Sequence, residues 1–251
     1  MNSPIRINKA LAQAGVCSRR QADELVTQGR VLVNNAPLLT PGTRIDREKD
    51  IVHVDGRRID LCPAQKSPPL YLMINKPVQV VCTVKDPEGR TTVLDILPEP
   101  YSRHRLFPVG RLDYFSEGLL ILTNDGELTH RMTHPRYHLE KVYFVRLREE
   151  PAEEALATMR RGMRLAEGKK LAPVEVEQLN NKHLLRMTLM QGVNRQIRRM
   201  CRDLGLTILT LRRVQIGKLE LGDLAPGQCR ELTAEEIRAL HHAVGYDVGK
   251  M

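Results

Sequence analysis

The residues best placed to do chemistry lie in Gly110-Arg111-Leu112-Asp113-Tyr114-Phe115-Ser116-Glu117-Gly118. A carboxylate there follows an arginine by two residues and precedes a Ser-Glu-Gly turn. The apolar run Leu119-Leu120-Ile121-Leu122-Thr123 comes next and reads as a strand. A strand behind such a turn can hold Asp113 at the mouth of a cleft, where a carboxylate can attack or move a proton. A second stretch, Gly192 to Gly205, carries Arg195, Arg198, Arg199 and Arg202, and Tyr143 lies between the two. The residues for other chemistries are missing, with no glycine-rich phosphate loop, Ser/His/Asp order or zinc motif. The eight histidines are scattered. His134 and His138 are four apart, but Pro135 breaks the helix that a shared ligand face needs, so no metal site is expected. Each remaining residue also has an ordinary reading. Asp113 can cap a turn, Tyr143 can fill a core, and the arginines can cover a solvated helix face.

Composition narrows the partner. The chain has 251 residues, a formal net charge of +9 and a pI near 9.5. Lys and Arg in that excess favour a polyanion, because binding phosphates releases condensed counterions. The chain has no Trp and only 4% aromatic residues, which argues against a single-strand binder built on stacking platforms. Hydrophobic content is 41%, enough for a packed core. The five cysteines, at 17, 62, 82, 201 and 229, never fall at Cys-x-x-Cys spacing and suit reduced thiols in a cytosol. The first residues show no signal-peptide h-region, and no apolar run approaches the ~18 residues of a membrane span. No cofactor-binding signature is present, and a monomer is the default expectation.

The elements that must position these residues fall into two groups. In residues 1–62, Ile7, Leu11 and Ala14 recur at helical spacing before Gly15. Ser18 and Gln21 form a capping box for a second helix with Ala22, Leu25 and Val26 inward, ending at Gly29. Val31 and Val33 lead to a turn at Asn34-Asn35, and Ile51 to Val54 form another short strand closed by Asp55-Gly56. Lys9, Arg19 and Arg20 sit on or beside the helices, the last two at a helix N-terminus that favours phosphate. The prolines of residues 63–69 mark a linker.

Residues 70–251 read as many strands with interspersed helices, an α+β domain with a mostly antiparallel sheet. Tyr71 to Pro77 is a short strand, Val78 to Thr83 is strand-like, and Thr92 to Pro98 is helical or irregular. Asn124-Asp125-Gly126 is a turn before a brief helix over Glu127 to Met132. Glu140 to Leu147 alternates as a strand, with Tyr143, Val145 and Leu147 on one face. Pro151 opens a helix that Gly162 ends, and strands containing Val174/Val176 and Leu185/Met187/Leu189 follow. Asn194 can N-cap a helix whose stripe is Ile197, Met200, Cys201 and Leu204, with Gly205 beyond it. Leu206 to Ile216 is a strand containing Arg212-Arg213, and Thr233 to Glu236 is a last capping box.

Two resemblances tie these pieces together. Arg6-x-x-Lys9-x-Leu11-Ala12-x-Ala14-Gly15-x-x-Ser18-Arg19-Arg20-x-Ala22, continued by Gly29-Arg30-Val31-x-Val33-Asn34, resembles the RNA-binding module of small-subunit ribosomal protein S-four. Gly110-Arg111-Leu112-Asp113, Ser116-x-Gly118-Leu119-Leu120, Thr123-Asn124-Asp125-Gly126, Glu140-Lys141-x-Tyr143 and Asn194-Arg195-Gln196-Ile197-Arg198-Arg199-Met200 resemble the RsuA/RluB family of ribosomal-RNA pseudouridine synthases. That second likeness implies isomerisation of a uridine in ribosomal RNA, without a cofactor, and leans to the large subunit (23S) over the small (16S). It implies that Asp113 is the catalytic carboxylate, either attacking the sugar or moving a sugar proton. Arg198 would be its salt-bridge partner. Tyr143 would lie against the uracil and serve in the final proton removal, with Ile197 on the other side of the base. A base inside folded RNA must be flipped out, and Arg111 would fill the vacancy or grip phosphate. Arg195 joins the substrate-binding set, while Lys9, Arg19 and Arg20 would hold RNA phosphates. The alternative is a non-catalytic rRNA-binding or ribosome-assembly factor on the same fold.

Overall fold

The computed structural model describes residues 4–61, 68–137 and 139–246. The chain divides into two compact units, Met1–Pro68 and Pro69–Met251. Most of the expected linker, 63–67, lies outside the described residues, as do Cys62 and His138.

The first unit opens with strand β1 (Ile5–Arg6), helix α1 (Ile7–Gln13) and helix α2 (Arg19–Thr27). The Ser18 hydroxyl accepts from the Gln21 amide and the Gln21 side chain accepts from the Ser18 amide, so the expected capping box closes both orphan donors. Strands β2 (Val31–Val33), β3 (Ala36–Pro37), β4 (Arg44–Ile45), β5 (Val52–Val54) and β6 (Arg57–Ile59) follow. A four-stranded sheet runs β3-β2-β5-β6, and β1 pairs with β4. Asn34 and Asn35 both take positive φ (52° and 65°), the geometry of a two-residue hairpin turn that matches strand twist. The core gathers Ile7, Leu11, Ala22, Val26, Val31, Ile45 and Val52.

The second unit begins with β7 (Tyr71–Lys76), β8 (Phe107–Pro108), β9 (Glu117–Thr123) and α3 (Gly126–Thr133). It continues through β10 (Lys141–Leu147), α4 (Glu153–Arg161), β11 (Glu175–Gln178), β12 (Leu184–Leu189) and α5 (Gln196–Asp203). It ends with β13 (Ile208–Ile216), β14 (Leu219–Glu220), β15 (Cys229–Glu231) and α6 (Ala234–Ala243). Among the described residues one sheet runs β11-β12-β10-β13-β9-β7-β15, with β14 on β13 and β8 on β9. Every pairing in it is antiparallel except β13 with β9.

The continuous apolar run of β9 has a direct cause: both faces of the strand are covered. Leu119 and Ile121 pack with Met73, Leu128, Met132 and Leu240, while Leu120 and Leu122 pack with Leu72, Ile74, Val93 and Leu106. A strand buried on both sides needs no polar alternation. Beside it, α4 and α5 lay Leu156, Met159, Ile197, Met200 and Cys201 on Val145, Leu185, Met187 and Leu211.

Two expectations fail. Val78 to Thr83 is not a strand: only Val81 bridges, to Thr92, while Val78 is exposed and Gln79 takes a φ of 63°. Pro77 interrupts donation at the end of β7, and the Gln79 amide bonds instead to the Tyr114 carbonyl (2.7 Å). Asn194 does not cap α5. The residue before that helix is Arg195, left-handed at φ 49°, with no side-chain cap, and the Asn194 carbonyl accepts from Arg199 Nη1 instead (3.0 Å). Thr92 to Pro98 resolves as irregular chain.

Candidate active site

Asp113 sits on the turn that feeds β9, and the turn is held on several sides. The Ser116 amide donates to the Asp113 carbonyl (3.0 Å), closing it. From α5, Arg198 Nη2 donates to the Phe115 carbonyl (2.7 Å) and to Ser116 Oγ (3.0 Å). From β7, the fully buried Lys76 donates through Nζ to the Ser116 carbonyl (2.8 Å) and the Pro77 carbonyl (2.7 Å). The Leu112 amide donates to Cys82 Sγ (3.3 Å). Such a scaffold fixes the carboxylate before any ligand arrives, and positioning of that kind is what a reacting group needs.

Arg198 also faces the carboxylate itself. Its Nε lies 3.6 Å from Asp113 Oδ2, an ion pair at longer than hydrogen-bond range, and this buried Nε has no hydrogen-bond partner among the described residues. Side-chain exposure is 18% for Arg198 and 31% for Asp113, so the pair is screened less than a surface pair while one edge of the carboxylate stays open. Burial lowers the Arg198 pKa, the Asp113 carboxylate opposes that, and the nearby Arg195 adds to it.

These residues line a cavity of about 890 Å³ together with Arg111, Tyr143, Arg195, Ile197, Lys141 and Arg213. Tyr143 is half-buried on β10 and packs against two core clusters. Ile197 is buried in the stripe of α5, whereas Arg111 and Arg195 are exposed at the cavity. The six residues expected at the reacting centre therefore meet. Lys9, Arg19 and Arg20 belong to the first unit, on α1 and the first turn of α2, with both arginines exposed.

Sequence reasoning assigned no place to Lys76, Cys82 or Arg213, and none to the Lys141 side chain. Burial pushes the Lys76 pKa down, and the neighbouring Cys82, Asp113 and Glu117 push it back up. Burial raises that of the Cys82 thiol. A usable signal existed for two of them: a lysine closing the apolar run of β7, and an arginine two residues from buried Leu211 on β13, in phase with the core.

The parallel contact between β9 and β13 explains Gly118. It takes a φ of 106°, and a Cβ there would lie 2.1 Å from the Arg213 carbonyl oxygen. Only a residue without a side chain lets the two backbones approach this closely.

A mixed sheet with a buttressed aspartate at the edge of a basic cavity suits an enzyme acting on a polyanion, and comparison with known proteins gives the class. Residues 70–203 match the model of the RNA pseudouridylate synthase family, and residues 5–52 match that of the S4 domain. An Aquifex aeolicus protein named as an uncharacterised RNA pseudouridine synthase is 39% identical over 96% of this chain and 95% of its own. A Bacillus subtilis protein named ribosomal large subunit pseudouridine synthase B is 35% identical over 94% of this chain and 95% of its own. A crystal structure of a pseudouridylate synthase superposes with a TM-score of 0.67 and 29% identity, covering 94% of this chain and 99% of that one. The chain belongs to the RNA pseudouridylate synthase family and is an isomerase of that class. Among the described residues no helix is long and apolar enough to cross a membrane.

Proposed function

We propose that the protein converts a uridine of large-subunit (23S) ribosomal RNA to pseudouridine, with Asp113 as the catalytic carboxylate. The observation that carries this reading is the meeting of Asp113, Arg198 and Tyr143 in one cavity. The choice of large subunit draws on relatives such as the Bacillus subtilis protein, whose name specifies it. The net charge of +9 suits a polyanionic substrate.

In this mechanism the target uridine leaves its stack, at a cost of a few kcal/mol, and enters the cavity. Asp113 attacks C1′ or takes a proton from C2′, and either route breaks the C1′–N1 bond. The uracil turns and C5 bonds to C1′ as the Asp113–C1′ bond breaks or, on the other route, as the proton returns to C2′; the proton on C5 then leaves, and N1 gains one. The reaction is a net isomerisation in which nothing is oxidised or reduced, and the proposed mechanism uses no cofactor. Arg198 keeps Asp113 aimed through the ion pair and through its hold on the turn. Tyr143 lies against one side of the base, where it also serves in the last proton removal, and Ile197 packs on the other. Arg111 fills the gap in the RNA stack or grips its phosphate, and Arg195 contacts the strand beside it. Residues 1–62 anchor RNA through Lys9, Arg19 and Arg20, residues 63–69 tether that anchor, and residues 70–251 carry the chemistry. Even weak anchoring then raises the local concentration of RNA at the cavity. The protein acts as a cytoplasmic monomer.

The test is chemical mapping of pseudouridines in rRNA from a strain lacking the gene. One 23S position should revert to uridine and be restored by the wild-type gene but not by one encoding Asp113→Ala. An unchanged map would favour the rival reading, a ribosome-assembly factor that binds rRNA without modifying it.

A further inference from the structure

The cavity holds more positive charge than the pair with Asp113 uses. Arg213, on β13, is 3% exposed. Its Nε donates to the Leu119 carbonyl (2.8 Å), and its Nη2 is buried with no hydrogen-bond partner among the described residues. Lys141, on the neighbouring β10, donates through Nζ to the Leu139 carbonyl (2.6 Å), using one of three donors. Burial, and then the adjacent Arg213, pull the Lys141 pKa down to about 8. Arg213 pairs across the sheet with Tyr143, and a bulge between Val142 and Tyr143 separates that register from the pairing of Lys141 with Ile216. Lys141, Tyr143 and Arg213 all line the cavity that Asp113 lines.

Holding a buried and a half-buried cation in one cavity against carbonyls is costly, and an unpaired buried donor adds to the cost. A ligand that brings negative charge to this spot offsets both. Uridine brings it at one moment only. When C1′–N1 breaks, the bonding pair goes to N1 and delocalises onto O2 and O4, whether Asp113 has taken C1′ or a C2′ proton. Before that moment the same oxygens are neutral acceptors. Donors facing them therefore bind the transition state better than the ground state, the condition for acceleration. The geometry of uracil adds a second reason. A half-turn about the N3–C6 axis that exchanges N1 with C5 also exchanges O2 with O4. A pair of donors meets an equivalent pair of oxygens before and after the turn.

We propose that Arg213 and Lys141 form the receptor for the two carbonyl oxygens of the uracil ring and stabilise the anion released when the glycosidic bond breaks. The inference rests on the reading of Asp113 given above. It makes both side chains catalytic residues, although neither moves a proton. The charge is transient: the pair on the ring forms the C1′–C5 bond, C5 loses its proton and N1 takes one up.

The test compares two full-length 23S rRNA transcripts, one made with uridine and one with 5-fluorouridine, under single turnover with saturating protein. Fluorine withdraws electrons and makes uracil a better leaving group, so cleavage depends less on the receptor. Loss of the N-glycoside at the target is read by nuclease digestion and chromatography, and RNA affinity is read separately by filter binding. Arg213→Gln should slow cleavage of uridine about 100-fold, as removal of one oxyanion donor does. Its RNA affinity should stay within about threefold of wild type, and its deficit should shrink at least about tenfold on the fluorinated RNA. Lys141→Met should behave likewise, and Lys141→Arg should recover most of the rate. The ratio between substrates is taken within one variant, so a reduced folded fraction does not disturb it. An equal deficit on both RNAs, or one expressed wholly as weaker RNA binding (the signature of a phosphate grip), would overturn the proposal. Wild-type protein that leaves every uridine intact would instead refute the underlying assignment.

Discussion

The two units hold positive charge in opposite ways. In the first, Arg19 and Arg20 point into solvent from the start of α2, and Arg30 forms a surface pair with Asp55 (2.7 Å). In the second, Lys76 and Arg213 are buried against backbone carbonyls, and Arg198 is mostly covered where it meets Asp113. Exposed cations are screened by salt and tolerate loose geometry, which suits binding by phosphate count. Buried ones act at fixed positions in a lower dielectric, which suits holding and polarising a reacting group. On the proposed reading, affinity and chemistry fall to different residues, and substitutions should separate them.

The largest effect is expected where the buried charges are seated. Gly118→Ala forces a Cβ into the Arg213 backbone and requires β9 and β13 to part. Urea denaturation should show a loss of several kcal/mol, comparable to the worst core substitutions of about 4–5 kcal/mol. Next comes Arg198→Met, which frees the Phe115 carbonyl and the Ser116 hydroxyl as well as the carboxylate. Displacement of Asp113 by even about 1 Å should slow single turnover on the order of 100-fold while leaving RNA affinity near wild type.

Between these and the surface lies Lys141, a pH probe of burial. Its pKa in the folded chain, about 8, is below its ordinary 10.5. Between those values the unfolded chain binds more protons than the folded one, so this group makes stability rise with pH through that window. The difference between wild type and Lys141→Met in melting temperature should therefore shift in favour of wild type from pH 8 to pH 10. A pH-independent difference would place the ammonium in water.

The smallest effects belong to the first unit. Arg19→Ala with Arg20→Ala should weaken RNA binding across sequences and reduce the slope of log affinity against log salt by about 1 per lost phosphate contact, with the saturated turnover rate unchanged. A fall in saturated rate would break the comparison. Ser18→Ala should cost about 1 kcal/mol of stability in that unit, measured by thermal melting, because α2 loses its cap.

What was legible in the sequence follows the same division. The capping boxes at Ser18 and Thr233, the Asn34-Asn35 turn and the apolar stripe of α5 are decided by residues a few positions apart, and all were readable. The stretch after Pro77 misled because Val78, Val80 and Val81 have strand propensity, yet the Gln79 amide bonds across to Tyr114. Asn194 misled because a good capping residue sits one position before the actual N-cap, Arg195. The buried cations that support the site were hidden for a different reason. Lys76 reaches Ser116 and Arg213 reaches Leu119 across the sheet, and no local pattern records contacts between residues 40 and 94 positions apart. The resemblance named Asp113, Tyr143 and Arg198, but the residues that hold their scaffold came only from the fold.

The central claim is that Asp113 does the chemistry and contributes little to binding. It is tested most directly by single-turnover formation of pseudouridine in 23S rRNA by purified Asp113→Ala protein, with RNA affinity measured on the same preparation. The account predicts rRNA binding within a few-fold of wild type and no detectable pseudouridine. Product formed at the wild-type rate would contradict it.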